Sequence, residues 1–155
     1  MKRILYLFII LFSFCIPISC LAEDFDITGE NVILYNLNDN TIIYGHTYQD
    51  KIMLSSLKNA LDPDWYNEES NLIIELQLKE EKLKFEIFSI YTISETSDYL
   101  KTDMTDEEFQ EFISVIKQRS IKNFNKEIKK DAKILTLSTC YIDEDHRLVV
   151  HAKLL

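Results

Sequence analysis

Three residues of this sequence carry side chains that could act together in nucleophilic catalysis. Cys140 ends the strand-like stretch KILTLSTC, while His46 ends one apolar stretch and Arg147 begins another. A thiol becomes a good nucleophile as the thiolate, and a nearby imidazolium or guanidinium favours that form. An arginine can also stabilise the oxygen that turns negative when a carbonyl is attacked. These residue types therefore favour cysteine-dependent attack on a carbonyl, provided that the fold brings them together.

Each of these residues also has a structural interpretation. A single cysteine is often an inert core residue, and in an exported protein it can instead bridge to another molecule. His46 follows Tyr44 and Gly45 and could cap a strand or lie on the surface, and Arg147 could be a solvated strand residue. The residue types alone leave both interpretations open.

The beginning of the chain is typical of a secretion signal. Lys2 and Arg3 precede an apolar run that extends from Ile4 to Ile18, and the small Ala22 offers a cleavage point. We therefore predict that residues 1–22 are a signal peptide or an N-terminal membrane anchor. Residues 23–155 would then form a domain outside the cytoplasm.

Composition narrows the class of protein further. The chain has 155 residues, of which 46% are hydrophobic, and this is enough for one domain with a sizeable core. Its net charge of −9 is a poor fit to nucleic acid, which requires clusters of Lys and Arg. Removing residues 1–22 would also remove Cys15 and Cys20, which leaves Cys140 as the one thiol of the exported part.

Alternating apolar and polar residues predict a mainly β fold with inserted helices. In the stretch that ends at Cys140, the alternation places Ser138 on the same face as the thiol. A short helix is predicted over residues 54–62, stopped by Pro63. The predicted strands cover residues 31–37, 41–46, 72–79, 82–93, 133–140 and 147–154.

The clearest helix is predicted over residues 106–119. Thr105 is its expected N-cap, and Glu108 completes a capping box. Its apolar residues recur at helical spacing and predict a buried stripe of Phe109, Phe112, Ile113 and Ile116. Strands with helices inserted between them favour an antiparallel sheet or barrel with helices on its loops.

Several motifs resemble the class B sortases. TLSTC (136–140) is followed by RLVVHAKL (147–154), and TIIYGH (41–46) lies far upstream. EIFSIY (86–91) and TSDYLKTDMTDEEFQEF (96–112) are similar to that family in order and spacing. The helix predicted near residue 106 matches the helix that class B sortases carry in the loop before the strand of their cysteine. The resemblance covers roughly residues 24–155.

This resemblance implies a cysteine transpeptidase with endopeptidase activity. Cys140 would attack the carbonyl after the threonine of an NP-x-T-x type sorting motif and form a thioacyl intermediate. His46 would protonate the leaving amine, and Arg147 would position the substrate and stabilise the oxyanion. An amine of a cell-wall peptide would then resolve the intermediate. His151, farther along the last predicted strand, is expected to be structural.

The resemblance also implies a groove, partners and a location. Tyr44, Tyr99, Leu100 and Ser138 fall where the family lines its substrate groove. The partners would be secreted proteins with a C-terminal sorting signal, a cell-wall peptide amine and, through the N-terminal segment, the membrane. The protein would be anchored or secreted at a Gram-positive cell surface. No metal, cofactor or nucleic acid is implied.

The sequence departs from that family in two places. Class B sortases carry helices and two strands before the segment that leads to YGH, whereas only 23 residues separate Ala22 from His46. We therefore expect an incomplete sortase-like antiparallel β-barrel of about six strands. The six residues between Cys140 and Arg147 are also few for class B. The alternative function is a truncated, inactive sortase-like exported protein that serves as a binding or partner-dependent module.

Overall fold

Six strands form a single sheet. A computed structural model of the protein describes residues 25–28, 38–45, 54–78, 81–94, 96–141 and 143–155. The strands are β1 (Phe25–Thr28), β2 (Asn40–Gly45), β3 (Ile73–Gln77), β4 (Lys82–Ser94), β5 (Ile134–Tyr141) and β6 (Asp143–Leu154). Their order across the sheet is β1-β3-β4-β6-β5-β2. The last strand in sequence therefore lies inside the sheet, between β4 and β5.

The sheet is mixed rather than wholly antiparallel. The four inner strands, β3, β4, β6 and β5, pair antiparallel with one another. The two outer strands differ, since β1 runs parallel to β3 and β2 runs parallel to β5. Parallel neighbours need long crossover connections, and such long-range pairing cannot be read from local alternation. The prediction of an antiparallel arrangement is therefore wrong for the two outer pairings.

The predicted mainly β fold with inserted helices is confirmed, and its sheet is an open, incomplete barrel. Among the described residues the sheet is open, with β1 at one edge and β2 at the other. The strand predicted over residues 31–37 lies outside the described residues. The long hairpin predicted over residues 72–93 is present as β3 and β4.

The helices lie on the loops of the sheet. A 3-10 helix covers Leu54–Leu61, and α1 (Pro63–Tyr66) follows it with Asp62 as its N-cap. Pro63 thus begins a helix as well as following one, because its fixed φ suits the first helical position. The long helix, α2 (Asp106–Arg119), has the predicted bounds and the predicted capping box. In the described part of the chain no helix is both long enough and apolar enough to cross a membrane.

Both faces of the sheet are covered, which gives the domain two layers of core. The first layer packs against the 3-10 helix Leu54–Leu61. The second layer packs against α2 through the predicted stripe of Phe109, Phe112, Ile113 and Ile116. Burying one such side chain contributes about 1.5–3 kcal/mol. Because neither face is open, residues 134–139 of β5 are all buried.

Candidate active site

Cys140 lies where β5 emerges from the core. Ile134, Thr136 and Ser138 share its face of the strand, and all three are fully buried. Ile134 belongs to the layer of core beneath α2, which identifies the covered side. Cys140 is partly exposed and carries a thiol. It is therefore the first residue of this row that solvent, and a substrate, can reach.

The ladder between β5 and β6 places Arg147 opposite Cys140. Thr139 pairs with Leu148, Cys140 pairs with Arg147, and an irregularity follows at once. Directly opposite residues in an antiparallel ladder have Cβ atoms about 4.5–5.5 Å apart and point to the same face. The short connection between the two strands therefore still delivers an arginine beside the thiol.

Arg147 is held on both sides because β6 is an inner strand. It pairs with Ile93 of β4 on one side and with Cys140 of β5 on the other. Its guanidinium donates from Nη1 to the carbonyl of His146 at 3.1 Å, and the side chain is partly exposed. A cation thus lies on a strand whose register is fixed at both edges.

His46, the third predicted residue, lies outside the described residues. The strand that leads to it is described, and β2 ends at Gly45, which pairs with Thr139. Gly45 is in close contact with Leu54, since a Cβ at this position would lie 2.6 Å from the Leu54 Cγ. A larger residue at position 45 would clash with Leu54, so a glycine is needed where β2 lies beside the strand of the thiol.

The residues predicted to line a groove occupy two different environments. Tyr44 pairs with Ser138 and is 53% exposed, while Leu100 is half-buried. Ser138 and Tyr99 are buried, and their hydroxyl oxygens are 3.1 Å apart. Tyr44 and Leu100 could contact a substrate directly, whereas Tyr99 and Ser138 support the surface from beneath. Contact of these four residues with a substrate stays a prediction.

His151 is fully buried beneath α2. Its Nδ1 lies 2.8 Å from the Thr136 hydroxyl, and its Nε2 lies 2.9 Å from the Tyr91 hydroxyl. Burial, together with the positive charge of Arg119, lowers the pKa of His151 from 6.5 to about 3. It is a neutral imidazole at ordinary pH, within a buried hydrogen-bond network that residue types alone did not predict. Asn40, which is also fully buried, belongs to the same network through its bond with Thr136.

Comparison with known proteins identifies the family. Residues 29–155 match the sortase domain family. The chain belongs to the sortase family. Sortase B of Staphylococcus aureus (strain NCTC 8325 / PS 47) is 36% identical over 126 residues, which cover 79% of this chain and 51% of that protein. The predicted resemblance to class B sortases is confirmed.

Further comparisons agree with this assignment. Sortase B of Listeria monocytogenes serovar 1/2a (strain EGD-e) is 31% identical over 122 residues, or 76% of this sortase and 49% of that one. A structure of the Staphylococcus aureus sortase B–substrate complex superposes with a TM-score of 0.69 at 35% identity, covering 77% of this chain and 56% of that one. The chain thus spans about half the length of the curated relatives that it matches.

Proposed function

We propose that this protein is a sortase-type cysteine transpeptidase whose nucleophile is Cys140. The observation that carries the proposal is the position of a partly exposed thiol directly opposite an arginine, at the point where β5 leaves the core. Membership of the sortase family supports the same chemistry. Sulfur is the natural nucleophile here because the thiolate forms far more readily than a serine alkoxide.

The reaction has two halves. In the first, the Cys140 thiolate attacks the carbonyl carbon after the threonine of an NP-x-T-x type motif. The C–N bond breaks, the leaving amine takes a proton from His46, and a thioester remains on Cys140. In the second, an acceptor amine attacks the thioester, loses a proton to His46 and releases the Cys140 thiolate. Arg147 stabilises the oxyanion in both halves.

The substrate and the location follow from the family and from the sequence. A sortase B relative has been solved as a substrate complex, which supports the assignment of a peptide substrate to this fold. We assign secreted proteins with a C-terminal sorting signal as donors and a cell-wall peptide amine as acceptor. Residues 1–22 would direct the catalytic domain, residues 23–155, to the outer face of the membrane.

Mass spectrometry of the intact protein tests this proposal. The chain is incubated with an NP-x-T-x peptide, with and without triglycine as the acceptor amine. We expect a mass increase on Cys140 that disappears when triglycine is added, with release of the joined peptide. Cys140→Ala should show neither product. A chain that binds the peptide but never becomes acylated would contradict the enzyme proposal and support the inactive module instead.

A further inference from the structure

The turn beside the candidate groove is tied to the sheet by a hydrogen bond between the hydroxyls of Tyr99 and Ser138. Asp98–Leu100 forms one turn of 3-10 helix, and the Tyr99 hydroxyl bonds Ser138, two residues before Cys140. One turn of 3-10 helix is a poor structure on its own, because its hydrogen-bond geometry is weak. Other contacts must therefore hold this turn against the strand of the thiol.

Asn40 provides the first of these contacts. Its Nδ2 donates to the carbonyl of Tyr99 at 3.2 Å and to that of Lys101 at 2.9 Å. Its Oδ1 accepts a hydrogen bond of 2.6 Å from the Thr136 hydroxyl. Both amide hydrogens are thus used on the turn, and the amide oxygen faces β5. Asn40 joins the backbone of the turn to the strand that ends at Cys140.

The position of one proton then decides the state of His151. Thr136 has a single hydroxyl hydrogen, which it donates to Asn40, so its oxygen can only accept from His151. The imidazole therefore carries its proton on Nδ1. Its Nε2 has a lone pair and accepts from the Tyr91 hydroxyl at 2.9 Å.

Tyr91 links His151, through Arg119, back to the turn Asp98–Leu100. Arg119, at the end of α2, makes a cation-π contact with Tyr91, in which the guanidinium carbon lies 5.9 Å from the centre of the ring. The same guanidinium donates from Nη1 to Asp98 Oδ1 at 2.9 Å and from Nη2 to Oδ2. Asp98 is the first residue of the turn. These hydrogen bonds, together with the cation-π contact between Arg119 and Tyr91, therefore form a closed ring that begins and ends at residues 98–101.

We propose that this ring, with His151 joining its two halves, is a positioning device for the peptide groove. It holds the turn Asp98–Leu100 in place before a substrate arrives, so that Leu100 and Tyr44 present an ordered surface. His151 and Thr136 are positioning residues, since they act on the substrate only through the turn. The inference rests on the proposed peptide substrate. A groove that is already ordered loses less conformational entropy when the peptide binds, so the free-energy cost of binding is smaller.

Two substitutions at Thr136 form a matched pair. Thr136→Val keeps the shape of the side chain but removes both hydroxyl bonds, whereas Thr136→Ser keeps the hydroxyl. We expect Thr136→Val to raise the KM for an NP-x-T-x peptide about tenfold. This is the change in affinity that the loss of one or two hydrogen bonds typically causes. The kcat should stay within about twofold, because the thiol and Arg147 are untouched. Thr136→Ser should restore the parent KM.

Nuclear magnetic resonance provides a readout that does not depend on turnover. In the parent, the nitrogen shifts of His151 should show the proton on Nδ1. Amide exchange of Leu100, which bonds the Ser97 carbonyl at 3.1 Å, should be about tenfold faster in Thr136→Val than in the parent. The amide of Leu137, in the middle of β5, should be unchanged. Tyr91→Phe, which removes only a hydroxyl, should have the same effects if Thr136→Val does not fold.

The results separate this inference from the proposed function. If the parent never becomes acylated, the proposed function fails, and the KM is replaced by the dissociation constant of the unreacted peptide. A proton on Nε2 of His151 would overturn the ring. So would a Thr136→Val protein with the parent KM and the parent exchange rate at Leu100. A loss confined to kcat would also overturn it, because that result would place the ring in the chemical step.

Discussion

Cys140 and Arg147 face each other across the ladder that joins β5 to β6. No flexible loop has to close before the two residues meet, because the pairing of the strands sets their separation. Arg147 is fixed a second time by its pairing with Ile93 on β4. Arg147, the residue proposed to stabilise the oxyanion, therefore lies on one of the most constrained strands of the sheet. Such a position suits a preorganised cation, which stabilises negative charge without having to move.

Replacing Arg147 tests this relationship. We expect Arg147→Gln to lower kcat for peptide cleavage by about 10²–10³, the usual loss for one oxyanion donor. The Tm should change little, since Arg147 is only partly buried. Lys130→Gln is the control, because Lys130 is 73% exposed and its ion pair with Asp106 lies on the surface. Equal kcat values for the two variants would contradict the role of Arg147.

The contact between Gly45 and Leu54 yields a second prediction. Gly45→Ala places a Cβ 2.6 Å from Leu54 Cγ, so the 3-10 helix or the end of β2 must shift. We expect a loss of about 1–3 kcal/mol in the free energy of unfolding, as for other overpacked sites. Urea unfolding measures it.

The double variant provides the control for that clash. Leu54→Ala alone should cost about 2–5 kcal/mol, because Leu54 is 1% exposed and leaves a cavity. In Gly45→Ala/Leu54→Ala the added methyl has room, so the two losses should be less than additive. Strict additivity would show that the two side chains do not meet.

Burial of His151 makes the protein sensitive to acid. Its pKa is about 3 when folded and 6.5 when exposed, so the unfolded chain binds more protons between these values. Stability should therefore fall as the pH drops from about 6.5 towards 3, by roughly 5 kcal/mol from this group alone at 1.36 kcal/mol per pH unit. That loss is comparable with the whole stability of a typical domain.

Carboxylates add to the same trend at lower pH. A hydrogen bond from Arg119 lowers the pKa of Asp98, so this carboxylate also loses stabilisation as it is protonated. His151→Gln removes the imidazole, and we expect a flatter stability profile above about pH 4.5, where the carboxylates are still ionised. Urea unfolding at several pH values measures the slope. A variant with the slope of the parent in this range would refute the assignment.

Exposure of Cys140 predicts rapid modification of the folded protein. In a Cys15→Ser/Cys20→Ser background, a methanethiosulfonate reagent should label Cys140 without denaturant, because the side chain is partly exposed. Labelling should abolish peptide cleavage. Labelling that requires denaturant would favour the interpretation of Cys140 as an inert core residue.

Local signals predicted much of this fold. The bounds and cap of α2 follow from Thr105, Glu108 and the apolar stripe, all of which lie within one short segment. The hairpin of β3 and β4 follows from alternation on either side of a turn. The resemblance in TLSTC and the following arginine predicted a pair that the ladder indeed brings together.

Features that depend on distant residues could not be predicted in this way. The residue types around Asn40 predict a turn, yet Asn40 is fully buried. Its hydrogen-bond partners, Tyr99 and Thr136, lie 59 and 96 positions away, so no local pattern reveals them. Ser138 and Tyr99 both read as groove residues, but each buries the hydroxyl of the other. The polar residues Thr136 and Ser138, on the face of β5 that is otherwise apolar, were the one sign of a buried hydrogen-bond network. The alternation of polar and apolar residues does not reveal which groups they bond.

The central place of β6 has a consequence for the order of folding. In the described sheet β4 and β5 each form a ladder with β6 and not with each other, so a nascent chain that stops before Asp143 holds two groups of strands that no ladder joins. Contacts between residues far apart in sequence form slowly, because the entropy of loop closure opposes them. Cys140 and Arg147 are only seven positions apart and can pair as soon as β6 is available, whereas the ladder between β4 and β6, which pairs Phe85 with Leu154, joins distant residues and is expected to form late. Until β6 is in place, both groups of strands have edges and apolar faces exposed, and this is the interval in which a chaperone would protect the chain from aggregation.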